Sequence, residues 1–199
     1  RWKTGAPNIL RPMYTFWVRG AQNITIENLI IEDSLDWTLD IDYSEKVTVH
    51  DIVINNNRHV ANSDGIDVMS SKDVTVSHVF ISTADDGLCI KAPLFQGHNN
   101  LNIKDSAIPM GPAKNIIFKD CTVCSVMNAF KIGTETYFDI ENITVENCNF
   151  IMPDIFPGGV SGISIESADG SKIKNVNIQN IHMNNIVCPI FICLNRRNK

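Results

Sequence analysis

A six-residue phrase, polar-apolar-x-apolar-x-polar, recurs along the chain, and no other feature limits the possible folds so sharply. It reads Asn23-Ile-Thr-Ile-Glu-Asn28, Lys46-Val-Thr-Val-His-Asp51 and Asp73-Val-Thr-Val-Ser-His78. It returns as Asn115-Ile-Ile-Phe-Lys-Asp120, Asn142-Ile-Thr-Val-Glu-Asn147 and Asn175-Val-Asn-Ile-Gln-Asn180. Between copies lies a second alternating strand, at 14–19, 37–42, 64–69, 86–91, 128–133, 161–166 and 189–194. Its starts are 23, 27, 22, 42, 33 and 28 residues apart, which suits one solenoid coil, lengthened in places by an inserted loop. Side chains alternate between the faces of a strand. Phe16 and Val18, Leu39 and Ile41, Ile66 and Val68, Leu88 and Ile90, Phe130 and Ile132, and Ile163 and Ile165 take the inward positions. No window carries a 3.6-residue apolar stripe. Asn-Gly hairpin signals are absent between the strands, which counts against an antiparallel sandwich. The expected fold is all-β: a right-handed parallel β-helix of about seven coils, forming one domain over residues 1–199. The Asn residues closing many repeats suit turns, where their side chains satisfy nearby backbone groups.

Composition narrows the partners. The chain has 199 residues, 44% hydrophobic and 20% charged, ample for a sizeable core. Net charge is −5, and the single basic cluster is Arg196, Arg197 and Lys199 at the end, so no surface tracks phosphates and nucleic acid is excluded as the main partner. No apolar run approaches the eighteen or so residues of a membrane span. Cys121 and Cys124 form one C-x-x-C, without the second pair or paired histidines of a zinc site. Neither a metal nor a cofactor is expected. Cys89, Cys148 and Cys193 sit in apolar strand patterns and read as free core thiols rather than disulfides, so cysteine usage does not reveal the redox compartment. The chain starts at Arg1 with no signal peptide and shows no capping helix at either end. It reads as an excised segment, with further coils expected on both sides.

Stacking brings equivalent residues to about 4.8 Å from one another. Aligning the second strands puts Trp37, Asp64, Asp86, Asn128 and Ser161 in one column, preceded by Asp36, Ser63, Asp85 and Met127. Asp40, Asp67, Cys89, Lys131 and Ser164 form an outward column, and Asp42, Met69, Lys91, Gly133 and Glu166 the next. Asp64, Asp85 and Asp86 thus converge on one patch with Asp67 beside it and Trp37 placed to stack on a sugar ring. Carboxyls so close cannot all ionise freely. An acid beside a carboxylate is the equipment of glycosidic bond cleavage. A solvated acidic surface or a cation site is the plainer alternative.

At these residues the sequence resembles family 28 of the glycoside hydrolases, the polygalacturonase group. Trp37-Thr-Leu, Asn62-Ser-Asp-Gly-Ile-Asp67, Ser82-Thr-Ala-Asp-Asp86 and Cys89-Ile-Lys91 are similar to its Asn-Thr-Asp and Gly-Asp-Asp motifs and their spacing, and Arg11-Pro12 fits its course too. The resemblance implies hydrolysis with inversion, Asp85 acting as general acid while Asp64 and Asp86 position and deprotonate a water. It also implies a polysaccharide or oligosaccharide substrate and a secreted or periplasmic location; the protein is expected to be a monomer. Substrate contacts are expected at Trp37, Asn62, Asp67, Lys91, Asn128, Lys131, Glu135 and Glu166. One-coil spacing is short for inversion, which ordinarily separates the carboxyls by about 6.5–9.5 Å.

Two departures stand out. The family's Gly-His-Gly should fall in the coil Cys124–Glu135, whose Ile-Gly-Thr-Glu tail fits, and there Met127 or Asn128 takes the histidine's place. Its Arg-x-Lys, which grips a galacturonate carboxylate, falls at Ser164 and Glu166. Lys131, one coil earlier, is a candidate substitute cation, and Lys91 is expected to hold Asp85 or Asp86. Arg58 and His59 are further candidates for the histidine's role, and His98, in the insertion at 93–113, is a candidate to reach the cleft from above. These departures suggest a divergent branch acting on something other than plain polygalacturonan. A non-catalytic carbohydrate-binding solenoid is the main alternative, and a polysaccharide lyase a weaker one.

Overall fold

Both ends of the six-residue phrase are corners. Its first position (Asn23, Lys46, Asp73, Asn115, Asn142, Asn175) and its sixth (Asn28, Asp51, His78, Asp120, Asn147, Asn180) all have φ between 53° and 59°. Asn and Asp enter this left-handed region at least cost among residues with a side chain, which is why they dominate the two positions. A closing turn at the sixth position was legible in the sequence; the matching corner at the first was not. The side chains also bond from coil to coil. Asn115 Nδ2 donates to Asp73 Oδ1 at 2.7 Å, Asn142 to Asn115 at 2.9 Å and Asn175 to Asn142 at 2.9 Å. Asn142→Ala forces alanine into the left-handed region and breaks two rungs, an expected loss of about 1–3 kcal/mol in urea unfolding. Asn142→Gly, which keeps the backbone freedom but not the rungs, is expected to recover only the backbone part of the loss.

The computed structural model describes residues 14–94, 111–152 and 159–195. One sheet contains β1 (Phe16–Arg19), β4 (Leu39–Asp42), β7 (Ile66–Met69), β10 (Leu88–Ala92), β13 (Asn128–Thr136), β15 (Gly159–Ser167) and β17 (Ile186–Leu194), in that spatial order. The other sheet has two runs. The first is β2 (Gln22–Glu27), β5 (Glu45–His50), β8 (Lys72–Ser77) and β11 (Ala113–Lys119). The second is β3 (Ile30–Glu32), β6 (Val53–Asn55), β9 (Phe80–Thr83) and β12 (Thr122–Ser125). The long β14 (Ile140–Ile151) pairs with both β11 and β12 and joins the runs, and β16 (Ile173–Asn184) stacks on β14. Neighbouring strands are parallel throughout, one coil apart in the chain. The fold is a right-handed parallel β-helix. Among the described residues there is no helix, and so none long and apolar enough to cross a membrane.

The expected inward residues fill the core; Leu39, Ile41, Ile66, Val68, Leu88, Ile90, Phe130 and Ile132 are fully buried. Phe130 meets Phe118 of the opposite sheet edge to face, at 5.9 Å between ring centroids. The register matches the columns read from sequence: Asp40–Asp67, Asp67–Cys89, Cys89–Lys131 and Lys131–Ser164 are strand partners. One stretch differs. The β10–β13 register shifts after Ile90–Ile132, and Ala92 pairs with Thr136, so Gly133 does not stand beside Lys91 as expected. Gly133 takes φ of 119°, and a side chain there would collide with the Glu166 carbonyl 2.5 Å away. At the far edge the inward residues of β17 are open, Ile192 by 70%. All six cysteines are free, and Cys89, Cys121, Cys124 and Cys148 are buried; Cys193 is only partly so.

Candidate active site

The acids are brought together by the glycines that follow them. A Cβ on Gly65 would lie 2.4 Å from the Gly87 carbonyl oxygen, and one on Gly87 would lie 2.3 Å from Val123. Only a residue without a side chain lets the coils close here, with Gly65 N donating to the Asp86 carbonyl at 2.8 Å and Gly87 N to that of Asn128 at 2.8 Å. Asp64, Asp86 and Asn128 are thereby stacked at the head of one sheet, as the columns predicted.

Asp64, Asp85 and Asp86 each bring one oxygen within 4.8 Å of the others, a spacing that would also let them share a cation. Asp64 and Asp86 expose 3% of their surface and Asp85 is half-buried, so the cluster meets solvent through Asp85. Asp85 is fixed by its own neighbourhood: Oδ1 accepts from Asp86 N at 3.0 Å, Oδ2 from Asn62 N at 3.3 Å, and its carbonyl from Ser125 Oγ at 2.6 Å. Asn62, whose φ is 61°, sits in the left-handed region at this turn. Asp86 is doubly held. Asn128 Nδ2 donates to one oxygen at 2.6 Å, and the Lys131 ammonium lies 2.9 Å from the other. Ser161 Oγ in turn bonds Asn128 Oδ1, which orients the amide. Asp64 Oδ1 is buried without a protein partner.

Other expected contacts fall elsewhere. Trp37 is 4% exposed, stacked on Tyr14 and capped by Lys91 Nζ 3.4 Å above its ring centroid. It is packed away and offers no face to a sugar. Asp67 is fully buried and Lys91 is 3% exposed, so neither reaches a polymer. Lys91 holds Asp67 at 2.7 Å and Asp64 at 3.8 Å, rather than Asp85 or Asp86, because its side chain reaches back one strand onto β7. Lys131, expected to stand in for the missing grip, is engaged with Asp86. Of the two residues expected at the histidine's place, Asn128 stands in the column and bonds Asp86, while Met127 is 38% exposed. Glu166 is half-buried and accepts from Ser164 Oγ at 2.8 Å, and Glu135 is half-buried on the bulged strand. Arg58 bonds Ser82 at 3.1 Å, and the His59 backbone bonds Asn57. Arg11, Pro12 and His98 lie outside the described residues.

Sequence reading passed over Ser161 as a site residue, although it stands in the Asp64–Asp86–Asn128 column. It also gave no role to Asp40 and Asp42, which are fully buried on the outward side of β4.

Electrostatically the region is an acid store. Burial pushes Asp64 and Asp40 well above the usual carboxylate range, with neighbouring aspartates adding to the effect. Burial and then the Asp86 charge raise Asp85. Burial raises Asp67 to about 6 against the pull of Lys91, and Asp42 to about 6 against a hydrogen bond from Trp17. Each of these groups binds its proton more tightly folded than unfolded. Their contribution to stability is therefore full below about pH 4 and is lost as pH rises through the folded values. For Asp42 and Asp67 the window is about pH 4 to 6, worth on the order of 2–3 kcal/mol each. The melting temperature is expected to be higher at pH 4.5 than at pH 7.5 by scanning calorimetry; an increase across that interval would contradict this burial account.

A parallel β-helix that gathers three aspartates at the head of one sheet is the class of protein defined so far. Residues 10–199 match the family model of the glycosyl hydrolases family 28, and the chain belongs to that family. It is 27% identical over 180 residues to an endo-polygalacturonase of Pectobacterium carotovorum subsp. carotovorum, covering 88% of this chain and 39% of that protein. A probable polygalacturonase of Arabidopsis thaliana is 28% identical over 176 residues, covering 87% and 34%. Among solved structures, a polygalacturonase from Erwinia carotovora ssp. carotovora superposes with a TM-score of 0.63 at 21% identity, over 87% of this chain and 43% of the other. An exopolygalacturonase from Thermotoga maritima gives 0.61 at 21% identity, over 82% and 36%. The chain spans less than half the length of the relatives it matches.

Proposed function

We propose that the protein hydrolyses glycosidic bonds in a pectin-like or related polysaccharide or oligosaccharide, outside the cell or in the periplasm, using Asp64, Asp85 and Asp86. The observation that carries this reading is the meeting of those three carboxyls within 4.8 Å at a solvent-reaching corner of a family 28 β-helix. Asp85 is the general acid: burial and the adjacent Asp86 favour its protonated form, and it is the member open to a bound sugar. Asp86, positioned by Asn128 and Lys131, is the acceptor for a proton of the attacking water. Asp64, the third carboxyl of the cluster, helps to position that water. Protonation of the leaving oxygen and attack by the water then break the bond in one displacement, with inversion.

The carboxyls are closer than the usual inverting separation. Attack remains in line if the water lies on the far side of the sugar, served by Asp64 and Asp86 together, while Asp85 reaches the leaving oxygen. The test is turnover on a panel of pectic and rhamnogalacturonan polysaccharides, with product followed by proton NMR from the first turnover. New reducing ends of inverted anomeric configuration are expected. Unsaturated products would assign the protein to the lyases, and retained configuration would make one aspartate a nucleophile.

A further inference from the structure

We infer that the sugar at the point of cleavage is uncharged: the site is made for a neutral glycoside and repels a uronate carboxylate. This rests on the hydrolase reading above and narrows its substrate class. Among the described residues, two cations lie within ion-pair distance of the cluster, and both are committed. Lys131 Nζ is 2.9 Å from Asp86, and Lys91 Nζ is 2.7 Å from Asp67 with the Trp37 ring beneath it. Lys91 is 3% exposed and has no approach to a ligand. If a substrate carboxylate drew Lys131 away, Asp86 would be left buried without its counter-charge, a costly exchange.

The surroundings add charge of the same sign. Asp85 and Asp64 stand beside Asp86, and Glu135 acts on Asp67 and Lys91 through its charge. In the column of Lys131 the next coils present Ser164 and then Phe191, neither of them a cation. Ser164 Oγ draws the Glu166 carboxylate onto this face at 2.8 Å. A uronate entering here meets like charge, and both cations near the cluster among the described residues are already engaged, whereas sugar hydroxyls can donate to carboxylate oxygens throughout the site. Protons held on Asp64 or Asp85 reduce the repulsion but supply no attraction for an anion.

Calorimetric titration of the unmodified protein at pH 7 and low salt tests this independently of turnover. Galacturonan and rhamnogalacturonan oligosaccharides would each be compared with their carboxyl-reduced counterparts, which carry a neutral primary alcohol in place of each carboxylate. At least tenfold tighter binding of the reduced member of a pair is expected, about 1.4 kcal/mol. Equal affinity, preference for the acidic member, or binding of neither overturns the inference. Reducing ends measured in the same mixtures report separately on hydrolysis, so failure of that reading is distinguishable.

Discussion

Asp85→Asn is expected to reduce turnover by about a thousandfold while the protein stays folded. General acid assistance contributes roughly 10²–10⁴ in rate, and an amide has no proton of suitable acidity for the leaving oxygen. The fold should tolerate the change because Asp85 is half-buried and its burial already favours an uncharged side chain. One contact suffers. Both carboxyl oxygens accept backbone N–H groups, and the Asn amide nitrogen can serve neither, so the longer bond from Asn62 is the one expected to be lost. That costs about 1 kcal/mol. Rates on the preferred substrate, read with far-ultraviolet circular dichroism and melting temperature, check both halves. A variant with near-native turnover would remove Asp85 from the mechanism.

Lys91→Met is expected to be the most destabilising change at the site, by about 3–5 kcal/mol at neutral pH, although Lys91 touches no substrate. Its ammonium is the close counter-charge of Asp67 and lies 3.8 Å from Asp64, with all three groups out of water. Methionine matches the stem but leaves the carboxylates without their cation. The loss should depend on pH. Asp67 already titrates near 6 with Lys91 present, and without it burial acts unopposed, so below that value Asp67 takes a proton and the penalty shrinks. For a chain of this size the expected drop in melting temperature at pH 7.5 is on the order of 10 °C, falling to a few degrees at pH 4.5. An equal drop at both values would mean that packing rather than charge sets the role of Lys91.

These cases show where the sequence was informative. The coil repeat and the register of the acids were legible because both depend on local spacing: equal strands, equal corners, and a glycine after Asp64 and Asp86 where neighbouring coils touch. The columns Asp40–Asp67–Cys89–Lys131 and Asp64–Asp86–Asn128 follow directly. Depth was not legible. Alternation assigns a side chain to the outer face but cannot say whether that face is roofed, so the pattern alone makes Trp37, Asp67 and Lys91 surface contacts although they are buried. Long side chains also choose partners by reach, which is how Lys91 comes to hold Asp67 on β7 and lie near Asp64 just before it. The slip after Ile132 arises where β13 bulges around Gly133, and strand parity carries no warning of it.

A crystal structure of the Asp85→Asn protein with an oligosaccharide of the preferred substrate is the most direct test of the account. It should place a glycosidic oxygen within about 3 Å of residue 85, with a water bonded to both Asp64 and Asp86 on the other side of the anomeric carbon. A sugar bound on another face of the solenoid, or in the groove without approaching these three residues, would contradict it.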